Sequence, residues 1–442
     1  MGQVELLYAI LDKPLLTDVL FGHFSAAEII RMSWTCWAAR KSVQSYSSRA
    51  WSIDRHLRRF FRDPSAFRSL QAQTGTLISG SNALQFIDRT FYPESDLDIY
   101  VFPREHLTVG KWILEEAGMD YAFQPNSSQD PDFEKAEFAA PDDDDEQDAM
   151  DVEDEEAVYR MKGMLGVFTF ISQMDDLVAP LKVQMIVTQV CPLDTVLSFH
   201  STVVMNIISY QAAYCLFAWT TLEDRHGVVV EAKKTRHEAA LAKYAARGFH
   251  IVSGEEAKCD ENHRHRSSLR FGERWVDDRL TWVIPLDMTN VNLPAPTLGT
   301  PNATFDPVTL NSWTFGLKYV ENPPVIQCRC LSSKLLRFNY IASHSFLRFA
   351  RPVLHMTGST EYKKREEYPN SEFWTWWDFL VLNCKECYFR EPKKTRPISD
   401  IIRKRIEDSL PKAPRFISRI RRYRRVMQAD EHEQEDENEQ TA

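Results

Sequence analysis

Twenty-six residues, "LISGSNALQFIDRTFYPESDLDIYVF" from Leu77 to Phe102, constrain the fold of this chain more than any other stretch. "TLIS" and "SDLDIYVF" carry strand-type residues and "SNALQFIDR" has helical spacing, so the stretch reads as strand, Gly80-Ser81 turn, short helix, strand. Side chains alternate faces along a strand. That puts Asp96, Asp98 and Tyr100 on one side and Leu97, Ile99 and Val101 on the other. Two carboxylates on one face repel each other unless a cation lies between them. Mg²⁺ suits such a pair and also binds substrate phosphates. Gly80 lets a ligand approach the backbone, while Ser81 and Asn82 fall at a helix N-terminus, which favours anions. A plainer reading stands beside this one: a solvated strand with Asp96 and Asp98 on its wet face.

At 442 residues and 43% hydrophobic content the chain has material for two or three cores, since single cores stop growing near roughly 250–300 residues. The expected class is α+β. Residues 1–73 read as helices, with Ser25 and Glu28 spaced as a capping box. Residues 74–222 read as a mixed helix–strand domain, interrupted by a disordered acidic insert over 125–157. A C-terminal α+β region spans 223–389, and a basic arm with an acidic disordered tail closes the chain over 390–442.

The net charge of −10 is segregated. Asp130–Glu156 holds fifteen acidic residues against one lysine, and Asp430–Glu439 holds seven more. Arg390–Arg425 holds fourteen basic residues against four acidic ones. Dense like charge cannot bury enough surface to order itself. The remaining body is close to neutral, so no large basic face for nucleic acid is expected there. The basic arm reads either as a nuclear-localisation or nucleic-acid patch or as a solvated helix neutralised by the acidic tail.

From Thr195 to Leu222 the stretch carries no charge apart from that of His200. Asn206, Ser209 and Gln211 in its middle are costly in lipid, so "STVVMNIISYQAAYCLFAW" reads as a buried core helix and no membrane partner is expected. Glu5 within the first apolar stretch argues against a secretory leader. The eight scattered cysteines read as reduced thiols, so a cytoplasmic or nuclear protein is expected. Cys384 and Cys387 with Cys328 and Cys330 offer four thiolates, a number that zinc accepts, but the pairs are far apart in sequence and unliganded thiols are the simpler reading. The aromatic stripe Phe373, Trp374, Trp376, Trp377 and Phe379 reads as core rather than as a platform for bases.

Two stretches carry family resemblances. "LLTDVLFGHFSAAEIIRMSWTCWAARKSVQSY" resembles an F-box over roughly forty residues: Asp18-Val19-Leu20 for the acid and two aliphatics, Ile29, Ile30 and Met32 for the second helix, then Cys36, Trp37 and Arg40. The usual Leu-Pro opening is replaced by Pro14-Leu15-Leu16. The resemblance implies docking on the Skp-type adaptor of a cullin ubiquitin ligase through Leu16, Val19, Leu20, Ile29 and Met32. The alternative is a plain helical cap on the next domain, with those residues packed inward.

The opening stretch resembles the nucleotidyltransferase superfamily of the polymerase-beta type: apolar strand, Gly80-Ser81, short helix, then Asp96-Leu97-Asp98, with a somewhat long gap before the acids. The resemblance implies NTP phosphates on Gly80 and Ser81, and Mg²⁺ on Asp96 and Asp98 as the catalytic pair. A third acid is expected on a later strand. The matching run "LKVQMIV" places Gln184 there, a neutral and poor Mg²⁺ ligand that still hydrogen-bonds a nucleotide. Asp175, Asp176 and Asp194 lie near that run in sequence but outside it. The resemblance thus implies a pseudoenzyme, a binding and adaptor module, with active Mg²⁺-dependent NMP transfer from an NTP as its rival.

Overall fold

A computed structural model describes residues 9–136, 138, 163–174, 180–230, 237–252, 269–294, 305–317, 324–333, 336–361 and 372–390. The basic arm, the acidic tail, Asp175, Asp176, most of the acidic insert, and the closely spaced Cys259, His263 and His265, whose sequence reads as an exposed charged loop, lie outside these residues. The described chain mixes helices with a large mixed sheet, as expected of the α+β class.

The N-terminal helices start where local chemistry tells them to. Pro14 opens α1 (Pro14–Gly22). The capping box of α2 (Ala26–Ser33) forms as read: Glu28 N–H donates to Ser25 Oγ at 3.2 Å and Ser25 N–H to the Glu28 carboxylate at 2.8 Å. Next come α3 (Trp37–Ala50) and α4 (Ile53–Leu57). Asp63 caps α5 (Pro64–Thr74), which stops at Gly75 in the left-handed conformation.

The sheet begins with β1 (Leu77–Ser79), α6 (Gly80–Asp88) and β2 (Leu97–Val101). After α7 (His106–Glu115) come β3 (Tyr121–Gln124), β4 (Met164–Ser172) and β5 (Lys182–Thr188). Then follow α8 (Pro192–Leu197), β6 (Asn206–Ile208), β7 (Ala212–Cys215), β8 (His226–Val228), α9 (His237–Ala246), β9 (His250–Val252), β10 (Gly272–Trp275) and β11 (Trp282–Pro285). Eight of these strands form one sheet in the order β11-β7-β6-β1-β2-β5-β4-β3. Its pairs are antiparallel except β2 with β5. The sheet therefore runs past residue 222, because β11 pairs with β7.

The stretch read as one uncharged helix is instead a hairpin. β6 and β7 pair antiparallel, and Ser209-Tyr210-Gln211 makes the turn, with Ser209 Oγ accepting from the backbone N–H of Gln211 and Ala212 at 3.1 Å each. A strand pair buried on both faces gives an unbroken apolar run, which periodicity cannot separate from a buried helix. Of the polar residues that spoke against a membrane span, Ser209 and Gln211 lie in the turn and Asn206 opens β6. Among the described residues no helix is long and apolar enough to cross a membrane.

One face of the sheet carries the core. Leu97, Ile99, Val101, Val183, Met185 and Val187 are fully buried there and share one cluster with Phe21, Ile29, Val43, Tyr46, Trp51 and Phe61 of the N-terminal helices. Residues 14–74 thus pack against the sheet and share its core. Polar ties fasten the two layers: Trp51 Nε1 donates to Ile87 O at 3.1 Å, and the Glu223 carboxylate accepts from Ser25 Oγ and Ala27 N–H. Residues 125–136 of the expected insert belong to the packed structure, because Phe133 and Ala136 are buried in this cluster.

The chain divides into two compact units, residues 1–294, 305–334 and 338–347 in the first and the remainder in the second. The first also holds β12 (Ser312–Leu317), β13 (Pro324–Gln327), β14 (Arg329–Leu331) and β15 (Tyr340–Ala342), in the small sheets β10-β12-β13 and β14-β15. The second contains the greater part of α10 (His344–Glu361) and all of α11 (Glu372–Arg390). The Asp378 carboxylate of α11 accepts from Arg337 N–H at 3.1 Å. In α11 Cys384 and Cys387 are buried, and burial pushes the Cys384 thiol up to about 12, so it stays protonated. Of the aromatic stripe Phe379 is half-buried, and the side chains of Phe373, Trp374, Trp376 and Trp377 lie outside the described set.

Candidate functional site

The residues singled out around Gly80 come together on the second face of the sheet. β1 ends at Ser79, which stands opposite Asp98 in the β1–β2 ladder. The chain then turns through Gly80 at φ +68° into α6. A Cβ on Gly80 would lie 2.7 Å from Asp98 Oδ2, so glycine is needed here both for the left-handed backbone and for room. The Asp98 carboxylate therefore lies against the start of α6, the positive end of the helix.

β2 and β5 run parallel with Asp98 beside Gln184, so the neutral amide stands next to the acid on the same face. Lys182 precedes Gln184 by two residues and shares that face, and its Nζ lies 2.9 Å from Asp96 Oδ2. An ammonium thus neutralises one of the two expected metal ligands. Among the described residues no group of three or more His, Cys, Asp or Glu side chains gathers to hold a metal ion. Asp194, one of the acids near the β5 run, is elsewhere, 3.6 Å from Cys328 Sγ.

Ser81 is buried and its hydroxyl is shared with Ser95 Oγ at 2.8 Å, so that hydroxyl is already committed. Asn82 is held on both sides, by His56 Nε2 at 2.7 Å and through its own amide to Asp96 O at 3.5 Å. Burial lowers the His56 pKa, which favours the neutral ring.

Asp98 is the most perturbed acid of the face. Removal from water, and then the like charge of Asp96, push its pKa from 3.8 up to about 7, against the pull of Lys243 and Lys182. Burial and the nearby Asp98 also raise Tyr100 well above its ordinary value. Helix α9 contributes Lys243 and Tyr244 to this environment, and Arg247 beyond it lies 3.7 Å from the Tyr92 ring centre. Neither α9 nor Lys182 belongs to the motif. Lys182 is legible by alternation with Gln184, whereas α9 is remote in sequence and carries no pattern that points to this face.

The Asp98 shift has a stability consequence with a defined sign. Between pH 4 and pH 7 the folded chain keeps a proton on Asp98 that the unfolded chain releases, so stability falls as pH rises through that window. Asp98→Asn should remove the penalty. The variant should match the parent near pH 4 and exceed it above pH 7 by up to about 4 kcal/mol, the ceiling for a pKa moved from 3.8 to about 7. Urea unfolding of both proteins from pH 4 to pH 8 checks this, and parallel curves would contradict it.

The N-terminal set divides differently from the expectation. Ile29 is only 2% exposed and Leu20 and Met32 pack against the core, so these three face inward. Leu16 at 51% and Val19 at 66% are exposed, and with them Leu15, Trp34 and Trp37. Comparison with protein-family models, with curated proteins and with solved structures gives no match.

Proposed function

We propose that this chain is a binding module built on a nucleotidyltransferase-like domain in which metal-dependent transfer has lapsed. The observation that carries this reading is the arrangement of β2 and β5: Gln184 stands beside Asp98 where a third carboxylate is needed, and Lys182 occupies Asp96. A two-metal mechanism needs carboxylates to clamp the attacking and leaving oxygens. A face with one carboxylate paired to an ammonium and the other half-protonated near neutral pH has little net charge to draw Mg²⁺. The same face suits an anion. Lys182, Lys243 and the start of α6 all favour phosphate, and protonating Asp98 removes a repulsion. The reading is therefore an NTP or related phosphate ester held without turnover. Incubation with labelled NTP and Mg²⁺ should give no transfer product, and NTP binding should be the same in Mg²⁺ and in EDTA. Mg²⁺-dependent product that Asp98→Ala abolishes would establish the rival, an active nucleotidyltransferase.

A second reading is favoured by its own observation. Leu16, Val19, Trp34 and Trp37 are large, apolar and exposed on the N-terminal helices, and such surface marks an interaction site. Under the F-box resemblance the partner is a Skp-type adaptor, with the chain acting in the cytoplasm or nucleus as a ubiquitin-ligase receptor. Ile29 then supports the helices from within and does not touch the partner. Leu16→Asp with Val19→Asp should abolish co-purification with the adaptor while changing stability by less than about 0.5 kcal/mol, as expected of exposed sites. An unmodified chain that forms no complex with purified adaptor at micromolar concentration would contradict this reading.

A further inference from the structure

A cleft of about 490 Å³ opens between the N-terminal helices and α6, lined by Arg49, Arg55, Arg59 and Arg89. Its one acidic lining residue is Asp18, which Arg49 already holds, Nε to Oδ2 at 3.1 Å. Arg89 is committed to structure, donating to Phe21 O, Phe24 O and Tyr46 Oη. Arg55 and Arg59 are different. Among the described residues neither has a carboxylate within ion-pairing distance, and their hydrogen bonds go to the carbonyls of Arg49 and Pro93. A guanidinium offers five N–H donors, so most of each remains for a ligand. Burial lowers the Arg59 pKa, against the pull of the nearby Asp96 charge, which makes no ion pair with it. Thr90 Oγ1, on the same wall, is buried with no hydrogen-bond partner among the described residues. Phe91 stands 69% exposed at the rim, with the Arg59 guanidinium 5.3 Å from its ring centre.

Two guanidiniums outside any ion pair among the described residues, an orphaned hydroxyl and an exposed ring have one chemistry in common. We propose that this cleft binds a small ligand carrying two or more phosphate groups, with no metal ion, through Arg55 and Arg59. Planar N–H forks match phosphate oxygens in pairs. The Phe91 ring gives a flat moiety on such a ligand a surface to stack on. The inference does not rest on the Gly80–Asp98 reading, although the cleft adjoins that face: Asn82 lines it and the charge of Asp96 reaches Arg59. A bound ligand also bridges the N-terminal helices and α6 and stabilises their packing by mass action.

The test is calorimetric titration of the full chain with inorganic tripolyphosphate in EDTA, repeated with ATP. Saturable binding is expected, weakened at least tenfold by Arg55→Gln with Arg59→Gln, in a variant whose thermal midpoint stays close to the parent's. Tighter binding of ATP that Phe91→Ala reduces to the tripolyphosphate level would assign the phosphate source as a nucleotide, and equal binding of the two would assign a ringless polyphosphate. In Lys182→Met the component of binding that Arg55→Gln with Arg59→Gln removes should persist, whatever the Gly80–Asp98 face contributes. No saturation at millimolar ligand, or binding untouched by the arginine pair, would overturn the proposal. Binding lost in Lys182→Met but kept in the arginine pair would also overturn it, and would leave the Gly80–Asp98 face as the binder.

Discussion

Gly80→Ala is expected to lower stability by about 2–4 kcal/mol, the combined cost of a left-handed alanine and of forced movement at a packed site. The cause is local. At φ +68° the alanine is strained, and the new Cβ falls 2.7 Å from Asp98 Oδ2, so the carboxylate must rotate away from the turn. The pair should be non-additive. With Asp98→Ala in the background the contact is gone, and Gly80→Ala should then cost only about 1 kcal/mol, the residual backbone strain. Urea midpoints of the four proteins in this cycle give the coupling directly. Additive losses would mean that the glycine is present for backbone freedom alone, and that the carboxylate does not press on the turn.

Arg89→Met should cost about 2–4 kcal/mol, because hydrogen bonds from a charged donor contribute roughly 1.5–3 kcal/mol each and water reaches part of this half-buried site. Arg89 ends α6 and donates to Phe21 O at 2.9 Å, Phe24 O at 2.6 Å and Tyr46 Oη at 2.6 Å, with its guanidinium 5.3 Å from the Trp51 ring centre. It links α6 to the end of α1 and to α3 in one side chain. Methionine keeps the stem and removes the donors, taking the Arg89 bond from Phe24 O and leaving Phe21 O only its backbone N–H partners. Amide exchange over residues 14–50 should therefore rise more than exchange in β2 and β5. A loss below about 0.5 kcal/mol with unchanged exchange would show that apolar packing alone secures these helices.

The parts of this fold that can be read from sequence are those where polar and apolar side chains alternate along a strand. In β2 and β5 the alternation of Asp98 with Leu97 and Ile99, and of Lys182 and Gln184 with Val183, matches the burial on the two faces of the sheet. In β6 and β7 both faces are buried, the alternation vanishes, and a hairpin looks like a helix. Register explains why the sequence pattern already pairs Gln184 with Asp98: both lie at the polar positions of apolar strands, and parallel pairing then sets them side by side. The Lys182–Asp96 ion pair follows from the same alternation and needs only that the charge be read along with the amide. The cleft arginines are legible only in part. Arg55 and Arg59 stand one helical turn apart in "IDRHLRRFF", but their convergence on α6 depends on how the helices cross, which local pattern does not encode.

Under the proposed reading β5 presents a neutral amide and an ammonium where metal-dependent transfer needs acids. The direct measurement is calorimetric titration of Mg²⁺ into the parent chain and into Lys182→Met with Gln184→Asp, at pH 7.5 or above so that Asp98 is largely ionised. The parent should bind Mg²⁺ no better than at several millimolar, a weak level set by one competing ammonium and one missing carboxylate. The double variant should gain at least tenfold, since it frees Asp96 and restores a third acid beside Asp98. Submillimolar Mg²⁺ binding by the parent that Asp98→Asn abolishes would contradict the claim and return the face to metal-dependent chemistry.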